Sequence, residues 1–178
     1  MTVGFAGEAA GLNSEPIIAA VLKGLLSNFL DHELNFVNAP FIARDRGIKI
    51  TEIRSRETTD YRNILTITVR TPTTTHEVTG AVFGNRALRL IRIDGYRVEA
   101  APEGYFLMLH NRDVPGVVGN IGTMLGEAGI NIAGLKLGRD RVGGTALSLF
   151  EIDAPIPPTI LERLKTIPAI TAASQIKL

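Results

Sequence analysis

The chain contains no cysteine, so it can form neither a disulfide nor a thiolate metal site, and this fits a reducing compartment. Its histidines are His32, His76 and His110, with no HxH or HExxH spacing. A histidine metal site would have to gather all of them from distant elements, and none is expected. No GxGxxG or GxxxxGK[ST] occurs. The run Gly116-Val-Val-Gly119-Asn-Ile-Gly122 has a three-residue glycine spacing instead, which suits close helix packing. No serine sits in GxSxG, so no activated nucleophile is marked. The formal net charge is only +1, which gives no electrostatic case for nucleic acid. No uncharged apolar run approaches about 20 residues, so no membrane span is expected. The N-terminal MTVGFAGEAAG lacks the cationic start and long apolar core of a signal peptide, which makes the cytoplasm the expected location.

What is present concentrates in residues 105–134, YFLMLHNRDVPGVVGNIGTMLGEAGINIAG. An apolar strand runs into Asn-Arg-Asp-Val-Pro-Gly, a helix of small residues follows, and Ile-Asn-Ile opens the next strand. Pro115 fits a first helical turn, because its φ is preset and it needs no N–H partner. The N–H groups of Gly116, Val117 and Val118, with the helix dipole, attract a carboxylate. Asp113 either caps the helix or accepts hydrogen bonds from an ammonium. Asn111, two residues earlier, shares its strand face or is simply solvated. Asn131 is either a turn residue or a donor and acceptor that bridges to the junction. Taken as a set, one carboxylate, two amides and a helix N-terminus brought close together complement an α-amino acid.

Periodicity organises the rest. Residues 2–8 read as a strand, and Glu15-Pro16 opens a helix through IIAAVLKGLLSNFL with Ser14 as N-cap. Residues 34–37 suit a short strand. Asn38-Ala39-Pro40 starts a short helix that Gly47 ends. Residues 48–55, 63–71, 75–84, 87–95 and 97–100 follow as strands. Pro102 and Gly104 in AAPEG mark a boundary, giving domains 1–101 and 102–178. Beyond it the order is strand 105–111, helix 115–128, strands 130–138 and 144–152, helix 157–167 and strand 170–177, a ferredoxin-like βαββαβ. The expected class is α+β, with an N-terminal α/β domain before the ferredoxin-like one. Arg92 can join Arg97 or Lys49 across a sheet to hold an anion, against the plainer reading of solvated strand charges.

These motifs resemble a known family. Residues 104–178, with HNRDVPGVVGNIGTMLGEAGINIAGLKLGR at their core, are similar to an ACT domain. Residues 2–100 carry PIIAAVLKGLL, NFVNAPFIARDRGI and LRLIRIDGYRVEAAPEGY. They resemble the intervening, or allosteric-substrate-binding, domain of the long form of D-3-phosphoglycerate dehydrogenase. The resemblance implies the C-terminal regulatory half of an NAD-dependent enzyme of L-serine biosynthesis. The missing GxGxxG and a first strand starting almost at Met1 agree with it. It implies no catalytic site or cofactor on this chain, NAD belonging to the parent enzyme.

The same resemblance implies that L-serine or a related amino acid binds between ACT domains of paired subunits, which makes self-association part of the function. Matched on the Pro-Gly pair, the family's effector positions fall on Asp113, Asn111 and Asn131. Val114 stands where the family commonly has Arg, so one charge beside the site is missing. An iron–sulfur L-serine dehydratase carries a related pair of domains, but RIDGY and VNAPFIARDRGI favour the dehydrogenase. A purely structural oligomerisation module is the remaining alternative.

Overall fold

The computed structural model describes residues 1–30, 33–58, 60–84 and 86–178. His32 lies outside the described residues. The chain divides into two compact units, Met1–Arg86 and Ala87–Leu178.

In the first unit, β1 (Thr2–Gly7) pairs in parallel with β2 (Thr51–Ser55) and antiparallel with β3 (Asn63–Arg70), which pairs antiparallel with β4 (Thr75–Phe83). Parallel neighbours need a long crossover, supplied by α1 (Ser14–Leu26) and α2 (Ala39–Asp45). Leu22 and Leu26 of α1 pack with Ala39 and Ala43 of α2, while Val3 and Phe5 of β1 form a second cluster with Ala9.

Local polar chemistry moves several expected boundaries. The cap of α1 is Asn13, whose Oδ1 accepts the Glu15 N–H at 3.2 Å, so Ser14 is already helical. The helix stops at Leu26, short of Leu30, where Ser27 turns its Oγ back to the Gly24 carbonyl at 3.0 Å. Residues 34–37 form no strand. Asn35 Oδ1 accepts the N–H groups of Val37 and Asn38 at 2.9 Å each, and Asn38 Oδ1 accepts the Asn35 N–H at 2.8 Å. The two side chains take the donors a ladder would need. At the end of α2, Gly47 is left-handed and the Ile48 N–H returns to the Ala43 carbonyl, so β2 begins only at Thr51.

The second unit starts with a hairpin, β5 (Ala87–Ile93) and β6 (Tyr96–Ala100). Asp94 and Gly95 both have positive φ, the two-residue turn that matches strand twist. Then come β7 (Tyr105–Arg112), α3 (Val117–Glu127), β8 (Ile132–Arg139), β9 (Thr145–Ile152), α4 (Pro158–Lys165) and β10 (Ile170–Lys177). Their sheet has the order β10-β7-β9-β8 and is antiparallel throughout, the ferredoxin-like arrangement of an α+β protein.

This sheet is covered on both faces. Val117, Ile121 and Leu125 recur every four residues along α3 and meet Leu107, Leu109 and Phe150 on one face. On the other face Phe106, Leu147 and Leu149 meet Ile93, Val98 and Ala100 of the hairpin. Hence β7 and β9 are apolar at successive positions rather than alternate ones. Among the described residues, no helix is long and apolar enough to cross a membrane.

Candidate effector site

The β7–α3 junction is shaped by glycine rather than by proline. Gly116 is left-handed, with φ 89°, and occupies the N-cap of α3. Pro115 therefore sits one residue before the cap instead of in the first helical turn, and the helix begins at Val117 rather than 115. The first intrahelical bond runs from the Asn120 N–H to the Gly116 carbonyl, so the N–H groups of Gly116, Val117 and Val118 precede the ladder. A Cβ at Gly116 would meet nothing within 4 Å, which leaves this backbone open to approach.

Asp113 does not cap the helix; among the described residues no side chain does. Its Oδ2 accepts Arg139 Nη1 at 3.1 Å and the Gly143 N–H at 3.3 Å, and its own N–H donates to the Gly144 carbonyl at 2.9 Å. The β8–β9 hairpin is thereby fastened onto the junction. The second oxygen, Oδ1, takes no bond among the described residues. The hairpin has its own lock in Asp140, whose Oδ1 accepts the N–H groups of Arg141 and Thr145 at 2.7 Å each. Desolvation acts to raise the Asp140 pKa, but those two N–H groups and the Arg141 charge outweigh it. The carboxyl titrates below its ordinary value.

Asn111 is not solvated. It is 3% exposed, on the same strand face as Leu107 and Leu109. Its Oδ1 accepts from Ser148 Oγ at 2.9 Å, and its Nδ2 donates to the Arg112 carbonyl at 2.9 Å. The sequence reading missed Ser148 and Arg139. The only signal for either was register: Ser148 opposes Leu109, and Arg139, last in β8, opposes Ala146 beside the end of β7.

Asn131 lies elsewhere. At its end of the sheet Ile132 opposes Ile152, which opposes Tyr105 at the start of β7. The length of β8 separates Asn131 from Asp113 by roughly 20 Å or more, at ~3.4 Å per residue. One chain therefore does not bring Asn131 to the junction, contrary to expectation. There Asn131 Nδ2 donates to Asp153 Oδ2 at 2.7 Å, and the Asp153 N–H returns to the Asn131 carbonyl at 3.2 Å.

Of the three anion candidates, Arg92 and Arg97 stand opposite each other across β5 and β6, while Lys49 belongs to the first unit. His110 faces the hairpin, with Nε2 3.4 Å from Asp94 Oδ2 and its ring edge-on to Tyr96. Among the described residues, no three His, Asp or Glu side chains gather as a metal would require.

Fold and site together define a class: a ferredoxin-like domain, with a polar junction at the start of its first helix, that follows a smaller α+β unit in the chain. Comparison with known proteins makes this specific. Residues 1–94 match the D-3-phosphoglycerate dehydrogenase intervening domain, and residues 105–169 match the ACT domain. The chain belongs to the D-3-phosphoglycerate dehydrogenase family and carries its C-terminal regulatory part. It is 34% identical to a D-3-phosphoglycerate dehydrogenase of Synechocystis over its full length, covering 32% of that protein. Identity to the corresponding protein of Methanocaldococcus jannaschii is 36%, over 98% of this chain and 33% of the relative. For Bacillus subtilis it is 30%, over all of this chain and 34% of the relative. The chain thus spans about one third of the length of the curated relatives it matches.

Proposed function

We propose that this chain senses L-serine, or a closely related amino acid, and relays its binding as feedback on an NAD-dependent D-3-phosphoglycerate dehydrogenase of cytoplasmic serine biosynthesis. The observation that carries the reading is Asp113, a carboxylate with one oxygen unbonded among the described residues, close in sequence to the N–H groups of Gly116, Val117 and Val118 that precede the helical ladder. The ammonium of an α-amino acid meets Asp113, and its carboxylate meets the start of α3, where free N–H groups and the helix dipole favour negative charge.

Self-association completes the pocket. β8 is an edge of its sheet. Two copies pairing β8 antiparallel about a two-fold axis cover both edges. They also bring the start of one β8 beside the end of the other. Asn131 of a second copy then reaches the Asp113 of the first, which accounts for their separation within one chain. Ligand bound across this seam favours one arrangement of the pair, and such coupling is typically ~1–3 kcal/mol. The match over residues 1–94 favours a dehydrogenase over the dehydratase alternative.

Calorimetric titration of the purified chain with L-serine, with D-serine and glycine as controls, tests the reading. Saturable binding selective for the L form is expected. Asp113→Ala loses a charged hydrogen bond of about 1.5–3 kcal/mol, a ten- to hundredfold loss of affinity, while the chain still folds. A folded Asp113→Ala chain that binds as tightly as the parent would refute the site. A stable oligomer that binds no amino acid would leave assembly as its role.

A further inference from the structure

We infer that Arg139 sets the charge selectivity of the Asp113 site, making it a receptor for zwitterions and a poor one for simple amines. The inference rests on the amino-acid reading above and names a residue that reading does not use.

The observations concern how the two charges are arranged. Arg139 Nη1 and the Gly143 N–H both bind Asp113 Oδ2, at 3.1 and 3.3 Å, and leave Oδ1 without a bond among the described residues. The Asp113 side chain is 20% exposed and that of Arg139 is 50% exposed, so both are in reach of a solute. Two neighbouring charged side chains make their bonds elsewhere. Arg112 Nη2 donates to the Pro168 carbonyl at 3.2 Å, and Asp140 turns onto the backbone of its own hairpin. Among the described residues, Arg139 supplies the one ion pair to Asp113.

Charge balance gives the consequence. Asp113 alone would carry a negative charge and attract any small cation. Paired with Arg139, it has its charge balanced by the guanidinium, and Oδ1 remains as an acceptor. An amine that docks there leaves one uncompensated positive charge beside the guanidinium, and like charges at this distance repel. An α-amino acid leaves none. Its ammonium meets Oδ1, while its carboxylate meets the N-terminus of α3 and the guanidinium, whose planar fork matches a carboxylate. Removing the guanidinium should therefore shift the preference toward the amine: the amine gains an unshielded carboxylate, and the amino acid loses a partner for its own. The sequence places this residue in a glycine-flanked hairpin with no sign of a role, and only the register of β8 on β9 brings it to Asp113.

The test uses two probes that share a hydroxyl and an ammonium: L-serine, and ethanolamine, which lacks the carboxylate. Both are titrated into the chain and into Arg139→Gln and Arg139→Lys. The expected result for Arg139→Gln is a fall of about tenfold or more in the ratio of L-serine to ethanolamine affinity, the value of one charged hydrogen bond. Arg139→Lys, which keeps the charge without the fork, should hold the ratio within a fewfold. If the parent binds L-serine and the ratio is unchanged in Arg139→Gln, the inference is overturned while the amino-acid reading stands. If Arg139→Lys loses as much selectivity as Arg139→Gln, charge is not the cause and the inference is also overturned. If the parent binds no amino acid at all, the reading itself fails and takes the inference with it.

Discussion

Two asparagine-bearing motifs, NFVNAP in the first unit and HNRDVPG in the second, use the same polar chemistry over very different ranges. Asn35 and Asn38 satisfy backbone groups within five residues of themselves. Asn111 instead bonds Ser148, 37 residues away, and Asp113 bonds Arg139 and Gly143, 26 and 30 residues away. A motif closed on its own turn shapes the chain and has little left for a ligand. A motif that fastens strand, hairpin and helix N-terminus together stands where a ligand can alter how those elements meet. The pair shows why similar sequence signals deserve different functional weight, with range of contact deciding between them.

The contrast predicts that the first unit is broken most severely through a backbone approach at one glycine, not through any polar side chain. Gly7 has φ 66° and ψ −134°, a conformation nearly reserved for glycine. A Cβ there would lie 2.1 Å from the Arg62 carbonyl oxygen, which also accepts the Glu8 N–H at 2.9 Å. Gly7→Ala should cost about 3 kcal/mol or more, from strain and displacement of β1 against β3. Thermal unfolding would show it as the largest loss in this series, and a midpoint within a degree or two of the parent would contradict the close approach.

In the second unit the long-range contact is the weak point. Ser148 is fully buried and Asn111 is 3% exposed, so Ser148→Ala leaves Asn111 Oδ1 without its donor where water has little access. The expected cost is about 1–3 kcal/mol, with the midpoint lowered by several degrees in a chain of this size. Replacing both partners, as Ser148→Ala with Asn111→Leu, should recover much of that loss, since no orphaned polar atom remains. Measuring L-serine affinity in the double variant sharpens the comparison further. Retained affinity would make Asn111 a structural residue, and lost affinity would give it a second role at the site.

How much of this was legible in the sequence follows from the same distinction. The apolar period along Val117, Ile121 and Leu125 is local and announces α3 directly, whereas the strand expected over 87–95 ends at Ile93, because Asp94 and Gly95 take positive φ and form the β5–β6 turn. The βαββαβ order followed from such signals. Helix ends were displaced where neighbouring polar residues compete for the same N–H groups, as Asn13 does with Ser14. The strand expected at 34–37 failed for the same reason, because apolar Phe36 and Val37 lie between two asparagines that take up the backbone donors. Asp113 stood out because it lies two residues before Pro-Gly, and Asn131 because it follows Gly-Ile. Their separation, and the presence of Arg139 and Ser148, depend on strand register across the sheet. No local pattern encodes that register.

Asn38→Ala is the mildest of these changes and the most direct control on the comparison. The variant loses the bond from the Asn35 N–H at 2.8 Å and the one donated to the Glu33 carbonyl at 3.0 Å. Both backbone groups belong to a solvent-facing turn, so water can replace much of what is lost, and the net cost should be about 1 kcal/mol. The Asn35 side chain still holds Val37 and Asn38, so α2 keeps its start at Ala39. The bonds lost here close on the turn itself, and L-serine affinity should match that of the parent. A shift in affinity comparable to that of Asp113→Ala would mean that a motif closed on itself nonetheless reaches the effector site, and range of contact would then be the wrong guide to function in this protein.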